Sequence, residues 1–337
     1  MPRSAFNLIN DLNYHAVGVR KKAVYVKKDD SYIDDKELVT AYKYGDTLEM
    51  STAVGSEPSV VKYDADNMVN KDTGEIIEID HCDDRSDPRL RKSLKASFKR
   101  LKRLIGANFT NIGPRSGLWV TLTYAQPDGK PMTDQNRLYQ DFRKFIQKLK
   151  RYIKPRELVY IVAMEPQASG SFHAHILMKC LDKKTFYLKN SDVAEMWGQG
   201  FVNVRRIKKA DNVSAYLMAY LTDIDVKNVS GDIKRQDGKK PKSIIKGGRI
   251  GFYPLHFNLY RASKNCRQPE KLKSSRKKVK KKFGIENAEP TYARKFEIDT
   301  DQPFEVKVEY YDVKKVKLKS AISKIKKMSD QNNLTSS

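Results

Sequence analysis

The chain has 337 residues, enough for one large domain or two ordinary ones with full hydrophobic cores. It carries 66 Lys and Arg against 41 Asp and Glu, and the formal net charge of +25 exceeds what solubility requires and points to a polyanionic partner. The longest unbroken apolar run, Leu158 to Met164, is seven residues against the roughly 20 that span a bilayer, so membrane insertion is not expected, and a nucleic acid rather than an anionic membrane is the expected partner. MPRSAFNLIN lacks an apolar signal core, and Cys82, Cys180 and Cys266 are scattered without CxxC spacing. Neither a disulfide framework nor a zinc ribbon is indicated, and a reducing, cytoplasmic setting is the expectation.

The charge is unevenly placed. Residues 1–88 hold 11 basic and 18 acidic side chains, so this acidic N-terminal region, to which no chemistry can be assigned, leaves a net +32 for the rest. Its one strand candidate is Glu75 to Ile79. Residues 89–115 form a basic helix or linker: Arg89 to Arg103 has eight basic residues and no acid, with Leu90, Leu94, Phe98 and Leu101 on one helical stripe. Such a helix is either a solvated surface element or a contact for a DNA backbone.

From Leu118 strands and helices alternate. LWVTLTY (118–124) is β-branched and aromatic, and QPDGKP closes it as a turn. Thr133 and Asp134 open a helix with Leu138, Phe142, Phe145, Ile146 and Leu149 as its apolar stripe, until Pro155. LVYIVAME (158–165) reads as a buried strand, PQASGS as a turn and FHAHILMK (172–179) as the returning strand. A short helix, Ser191 to Trp197, stops at Gly198, FVNVRRI (201–207) is a fourth strand, and Asp211 caps a helix from Val213 to about Ile224. The order β-α-β-β-α-β-α predicts an α+β, ferredoxin-like split βαβ domain whose central antiparallel hairpin is 158–165 with 172–179. IGFYPLHFNLYR (250–261) extends the domain, which spans 116–262. Residues 263–337 read as a basic, partly flexible C-terminal region, with ten basic residues and one acid between Lys264 and Lys282.

His173 and His175, two apart on a strand, point their imidazoles to the same face. The hairpin returns Glu165 beside them, so two nitrogens and one carboxylate can serve a single metal ion with open positions. A lone His-x-His is as readily an ordinary half-buried pair. His15, His81 and His256 have no such context. Tyr216 and Tyr220, at i and i+4 in SAYLMAYL, project from one helix face, at the margin of the stripe Val213, Leu217, Leu221 and Ile224. Aromatic packing alone would explain them equally well.

LWVTLTY, EPQASGSFHAHIL and SAYLMAYL, in that order, resemble the three motifs of the HUH endonucleases that initiate rolling-circle replication of small plasmids and single-stranded DNA phages. The resemblance covers about residues 116–225. The tyrosine spacing is similar to that of two-tyrosine initiators, and the eight-residue step from Glu165 to His173 to that of small circular-virus initiators. GRIGFYPLHFNLYRASKNCRQP looks like the segment that follows the nuclease in plasmid initiators. Two departures stand out. Ala219 and Asp223 occupy the positions where many relatives carry a lysine three residues after a tyrosine, leaving Lys208, Lys209 or Lys227 to substitute, and the third histidine of conjugative relaxases is missing.

The resemblance implies an HUH-fold nuclease in which Glu165, His173 and His175 hold Mn²⁺ or Mg²⁺, and Tyr216 or Tyr220 attacks a phosphate of single-stranded origin DNA. Tyr216, a turn nearer the capped helix start, is expected to attack first. The products are a 5′-phosphotyrosine and a free 3′-hydroxyl that primes synthesis, and the link later supports rejoining. No P-loop GxxxxGK[ST] is present, so a host helicase and polymerase are the expected partners, with duplex origin DNA held by the basic stretch from Lys264. A two-tyrosine transposase shares this chemistry. A ferredoxin-like RNA-binding module is the reading from another class, but no RNP-type strand is present and it leaves the histidines and tyrosines idle.

Overall fold

The computed structural model describes residues 21–22, 32–52, 60–79 except 65, 88–207 except 114 and 168, 224–225, 244–245, 253–254, 257–298, 304–318 and 321–322. In chain order the elements are β1 (Lys21–Lys22), β2 (Leu38–Tyr44), β3 (Thr47–Ser51), β4 (Val60–Lys62), β5 (Asn67–Asn70), β6 (Ile76–Glu78), α1 (Pro88–Phe109), β7 (Gly117–Thr123), α2 (Gln135–Tyr152), β8 (Leu158–Pro166) and β9 (Phe172–Cys180). There follow α3 (Asn190–Trp197), β10 (Val202–Arg206), β11 (Ile224–Asp225), β12 (Ile244–Ile245), β13 (Tyr260–Ala262), β14 (Glu270–Ser275), α4 (Arg276–Phe283), β15 (Tyr292–Ile298) and β16 (Phe304–Asp312). Among the described residues no helix is long and apolar enough to cross a membrane. The chain divides into two compact units, one within Cys82–Arg267 and the other from Val17–His81 with Gln268–Ser337.

The first unit is built on a five-stranded sheet in the order β10-β7-β9-β8-β13, every neighbour antiparallel. Its first four strands, taken as the fourth, first, third and second of the motif, are the ferredoxin-like split βαβ arrangement, so the fold class is α+β as the element order predicts. The β8-β9 hairpin occupies the middle because its strands are almost wholly apolar and are buried on both faces. Asp134 caps α2, accepting from the backbone N–H groups of Asn136 and Arg137. Its stripe Leu138, Phe142, Phe145, Ile146 and Leu149 is buried, each side chain worth roughly 1.5–3 kcal/mol of transfer free energy. Phe142 meets Tyr160 of β8 edge-on at 5.8 Å, and Phe145 meets Trp197 of α3 at 6.1 Å, so both helices lie on one side of the sheet. The other side carries the histidines. Lys179 of that side donates to the carbonyl of Asn108 and places its ammonium 5.3 Å from the Phe109 ring, which brings the end of α1 there. Leu94, Phe98, Leu101, Leu104, Ile105 and Phe109 of α1 join the same core, so α1 is a packed element that runs six residues beyond the expected Arg103.

Three further expectations change. Of the described residues of IGFYPLHFNLYR only Tyr260 and Arg261 enter the sheet, where Tyr260–Ala262 pair with Ile161–Ala163 of β8. Ile224, read as the end of a helix, pairs instead with Ile245, and Asp225 with Ile244. The rest of that helix, with Tyr216 and Tyr220, lies outside the described residues, as do Lys208, Lys209, Lys227, Cys82, His15, His81 and His256.

The third change concerns the regions 1–88 and 263–337, which sequence treats as separate. They share a six-stranded antiparallel sheet, β1-β15-β16-β3-β2-β14. β2 and β3 form a hairpin closed at Tyr44 and Thr47 by Gly45 and Asp46, with Gly45 at φ +53°. β14 pairs with β2, and β16 with β3, so each end of the chain supplies strands that the other lacks. The basic run after Lys264 is accordingly structured over β14 and α4. Arg276, Val279 and Lys280 of α4 are buried, and Arg276 donates to Glu309 and Tyr311 of β16 at 2.9 and 3.0 Å. Val39, Leu48, Met50, Val279, Ile285 and Tyr311 form this unit's own core.

Candidate active site

Sheet register assembles the site. β7, β9 and β8 lie side by side, His173 pairs with Thr123 on one flank and Glu165 on the other, and His175 with Thr121 and Ala163. Paired residues of an antiparallel sheet share a face, and alternation puts His173 and His175 on the same one. Glu165, His173 and His175 are thus brought together as the spacing predicts, on the face away from α2 and α3. Glu165 and His175 are 2% and 5% exposed, and the His175 Nε2 to Glu165 Oε2 distance is 2.8 Å. The two imidazole centroids are 6.2 Å apart.

Two orienting residues escaped the sequence reading. Thr121 Oγ1 lies 3.3 Å from His175 Nδ1, and Gln167 Nε2 lies 3.1 Å from His173 Nδ1. A hydroxyl both donates and accepts, so Thr121 satisfies either tautomer of His175. The available signal was Thr121 at alternate spacing in LWVTLTY and Gln167 two residues beyond Glu165. Pairing Thr121 with His175, however, needs the β7-β9 register, which only the folded sheet provides.

Both histidines are neutral at pH 7. Burial pushes His173 down to about 4, helped by the neighbouring His175, and burial with the Arg205 guanidinium does the same for His175. Arg205 of β10 stands 4.5 Å over the Trp119 ring, and Trp119 in turn meets the His175 ring edge-on at 6.2 Å. Three buried side-chain polar atoms among the described residues have no hydrogen-bond partner, and two of them, His173 Nε2 and Ser171 Oγ, lie two residues apart at the start of β9. An orphaned buried imidazole nitrogen costs stability unless something else uses it.

For a divalent cation the donor set fits in kind. Two neutral imidazoles and a carboxylate on adjacent strands suit a mixed nitrogen and oxygen site, and His173 Nε2 has no competing partner. The donors are not assembled as a coordination shell. Glu165 and His175 bind each other, and among the described residues no group of three or more His, Cys, Asp or Glu forms a metal site.

No curated protein and no solved structure matches the chain. Residues 117–225 match the family model described as Replication-associated protein ORF2/G2P. The matched span starts at the first residue of β7 and ends at the last of β11, so it takes in Glu165, His173, His175, Tyr216 and Tyr220, and by that likeness this third of the chain is tied to DNA replication.

Proposed function

We propose that the chain is a rolling-circle replication initiator whose first unit nicks and rejoins single-stranded origin DNA. The observation that carries this reading is the cross-strand meeting of Glu165 with His173 and His175 on one sheet face, inside the segment that matches a replication family. Glu165, His173 and His175 would hold the cation, Mn²⁺ or Mg²⁺. Bound there, such an ion polarises a phosphate oxygen as a Lewis acid. Thr121 and Gln167 set the imidazole orientations through their bonds to Nδ1. A tyrosine hydroxyl has an ordinary pKa near 10 and is a weak nucleophile at neutral pH, so it needs such a site. Tyr216 or Tyr220 would give up its proton and bond to phosphorus as the P–O3′ bond breaks. That step leaves a 5′-phosphotyrosine and a 3′-oxygen that takes up a proton, with the ester energy kept for rejoining.

The test is purified full-length protein with Mn²⁺ and a labelled single-stranded oligonucleotide from its own replicon origin. A band resistant to SDS, carrying only the DNA fragment that lies 3′ of a new break and is joined through its 5′ phosphate, is the expected result. Cleavage in EDTA, or by a His173→Ala, His175→Ala variant, overturns the role of the cation. Absence of any adduct with wild type removes the nuclease reading.

A further inference from the structure

The edge strand β10 presents a row of unlike side chains to the histidine face. Register pairs Asn203 with Thr121 and Arg205 with Trp119, while Thr121 pairs with His175 on its other side. Asn203 and Arg205 are therefore on the histidine side and Val202, which is buried, on the other. One residue before the strand, Phe201 continues the alternation, and its carbonyl accepts from Thr123 N–H at 2.9 Å. Phe201 thus stands two strands from His173, with Thr123 between them.

Phe201 is 70% exposed, the highest value among the exposed large hydrophobic side chains of the described residues. The fold holds it in place. Gly200 adopts φ +151°, and a Cβ there would lie 2.3 Å from the backbone nitrogen of Ala125, so glycine alone lets the chain run this close to the end of β7. At the other end of the row, the Trp119 ring beneath Arg205 fixes the guanidinium, whose charge is felt at His175.

The geometry points to β10 as a track for single-stranded DNA leading to the histidine face, with Phe201 stacking on a base, Asn203 reading a base edge or sugar and Arg205 holding a phosphate. The row spans about 13 Å at the usual strand rise. Stacking surface and positive charge in alternation are what a strand without a partner requires, and a duplex would hide the base faces that Phe201 needs. The proposal rests on the histidine face being the place of strand cleavage, and it adds the residues that bring the strand there.

Binding separates the two ideas. Anisotropy of fluorescein-labelled oligothymidylate, of an abasic strand of equal length and of a duplex is measured with full-length protein in EDTA, where no cleavage intervenes. Phe201→Ala should weaken oligothymidylate about tenfold and leave the abasic strand and duplex unchanged, and Phe201→Trp should restore binding. Arg205→Gln should weaken the oligothymidylate and abasic strands alike and lower the salt slope by about 0.7. Unchanged oligothymidylate affinity in Phe201→Ala, or an equal loss on the abasic strand, overturns the track. Adduct formation is scored separately. A base-dependent loss without any wild-type adduct upholds the track and removes the nuclease reading, whereas an adduct with indifferent Phe201 and Arg205 variants does the reverse.

Discussion

Glu309 of β16 and Glu165 of β8 are both nearly closed to solvent, at 0% and 2% exposure, yet their surroundings were built to different ends. Glu309 accepts from the Ile33 backbone N–H, from Arg276 Nε and from the Tyr311 hydroxyl, at 2.7 to 2.9 Å. Arg276 is satisfied in turn by Asp35 and Tyr311. A buried ion pair is stable only when its hydrogen bonds are this complete, and here the network joins α4, the segment before β2 and β16 across 276 residues of sequence. Around Glu165 the polar groups are left incomplete. His173 Nε2 and Ser171 Oγ are buried and unpartnered, and two imidazoles are held neutral beside a carboxylate. The difference is one of completeness: the Glu309 network is closed by its own side chains, whereas two buried polar atoms around Glu165 have no hydrogen-bond partner.

The contrast is sharpest at the nucleophile and the donors. If the second environment serves cleavage, Tyr216→Phe with Tyr220→Phe should give no covalent adduct at all, and Tyr216→Phe alone should lower the first cleavage more than Tyr220→Phe. Mass spectrometry of the DNA-linked peptide after one round decides, and an adduct on Tyr220 alone reverses the assignment. His173→Ala should cut adduct formation about a thousandfold, the several kcal/mol that a polarised phosphate is worth. Its melting temperature should stay within a few degrees of wild type, because Nε2 has no bond to lose and the Nδ1 contact with Gln167 is worth only about 1 kcal/mol. A large drop in melting temperature with cleavage intact would place His173 with the structural network instead.

The opposite signature belongs to Glu309. Glu309→Ala leaves Arg276 buried without its principal partner, and removing one member of such a pair costs about 3–5 kcal/mol. Urea unfolding should show that loss, while initial cleavage rates per folded molecule remain near wild type. Replacing Arg276 and Glu309 together by Met and Leu should restore much of the stability, since it removes both buried charges. A double variant no better than the single one would show that the network contributes more than charge balance.

How much of this the sequence discloses follows the range of the interactions. The hairpin 158–166 and 172–180 is local, apolar and closed by a short turn, so both its place in the sheet and the meeting of Glu165 with His173 can be read from spacing. α2 is legible from its cap and stripe. The second unit is not, because β2 pairs with β14 and β3 with β16 across more than two hundred residues, and no local period announces such partners. YGDT between two alternating runs was a hairpin signal that went unread. RKKVKKKF reads as a solvated tail because two of the residues it buries, Arg276 and Lys280, are basic. Only the carboxylate and rings that receive them, Glu309 and Tyr311, reveal the inward face. Thr121 and the β10 row were hidden for the same reason, since each is defined by the register of β7 with its neighbours.

The smallest expected effect concerns that same helix, and it tests whether the second unit does more than fold. With Arg276, Val279 and Lys280 turned inward, Lys277, Lys278 and Lys281 are exposed together, whereas Lys282 is engaged with Glu270 at 2.6 Å. Deleting everything from Lys264 onward would strip β14, β15 and β16 from their sheet and so confuse lost charge with lost structure. Substituting Lys277, Lys278 and Lys281 by Ser removes charge alone. If this face holds duplex origin DNA through its phosphates, the slope of log K against log salt should fall by about 0.9 for each phosphate no longer neutralised, and affinity should drop similarly for any duplex sequence. Cleavage of a single-stranded oligonucleotide should barely change, since the donors and the β10 row belong to the first unit. An unaltered duplex slope would show the lysines to be solvated charge, and Glu309 with its network would then support a unit whose task lies elsewhere.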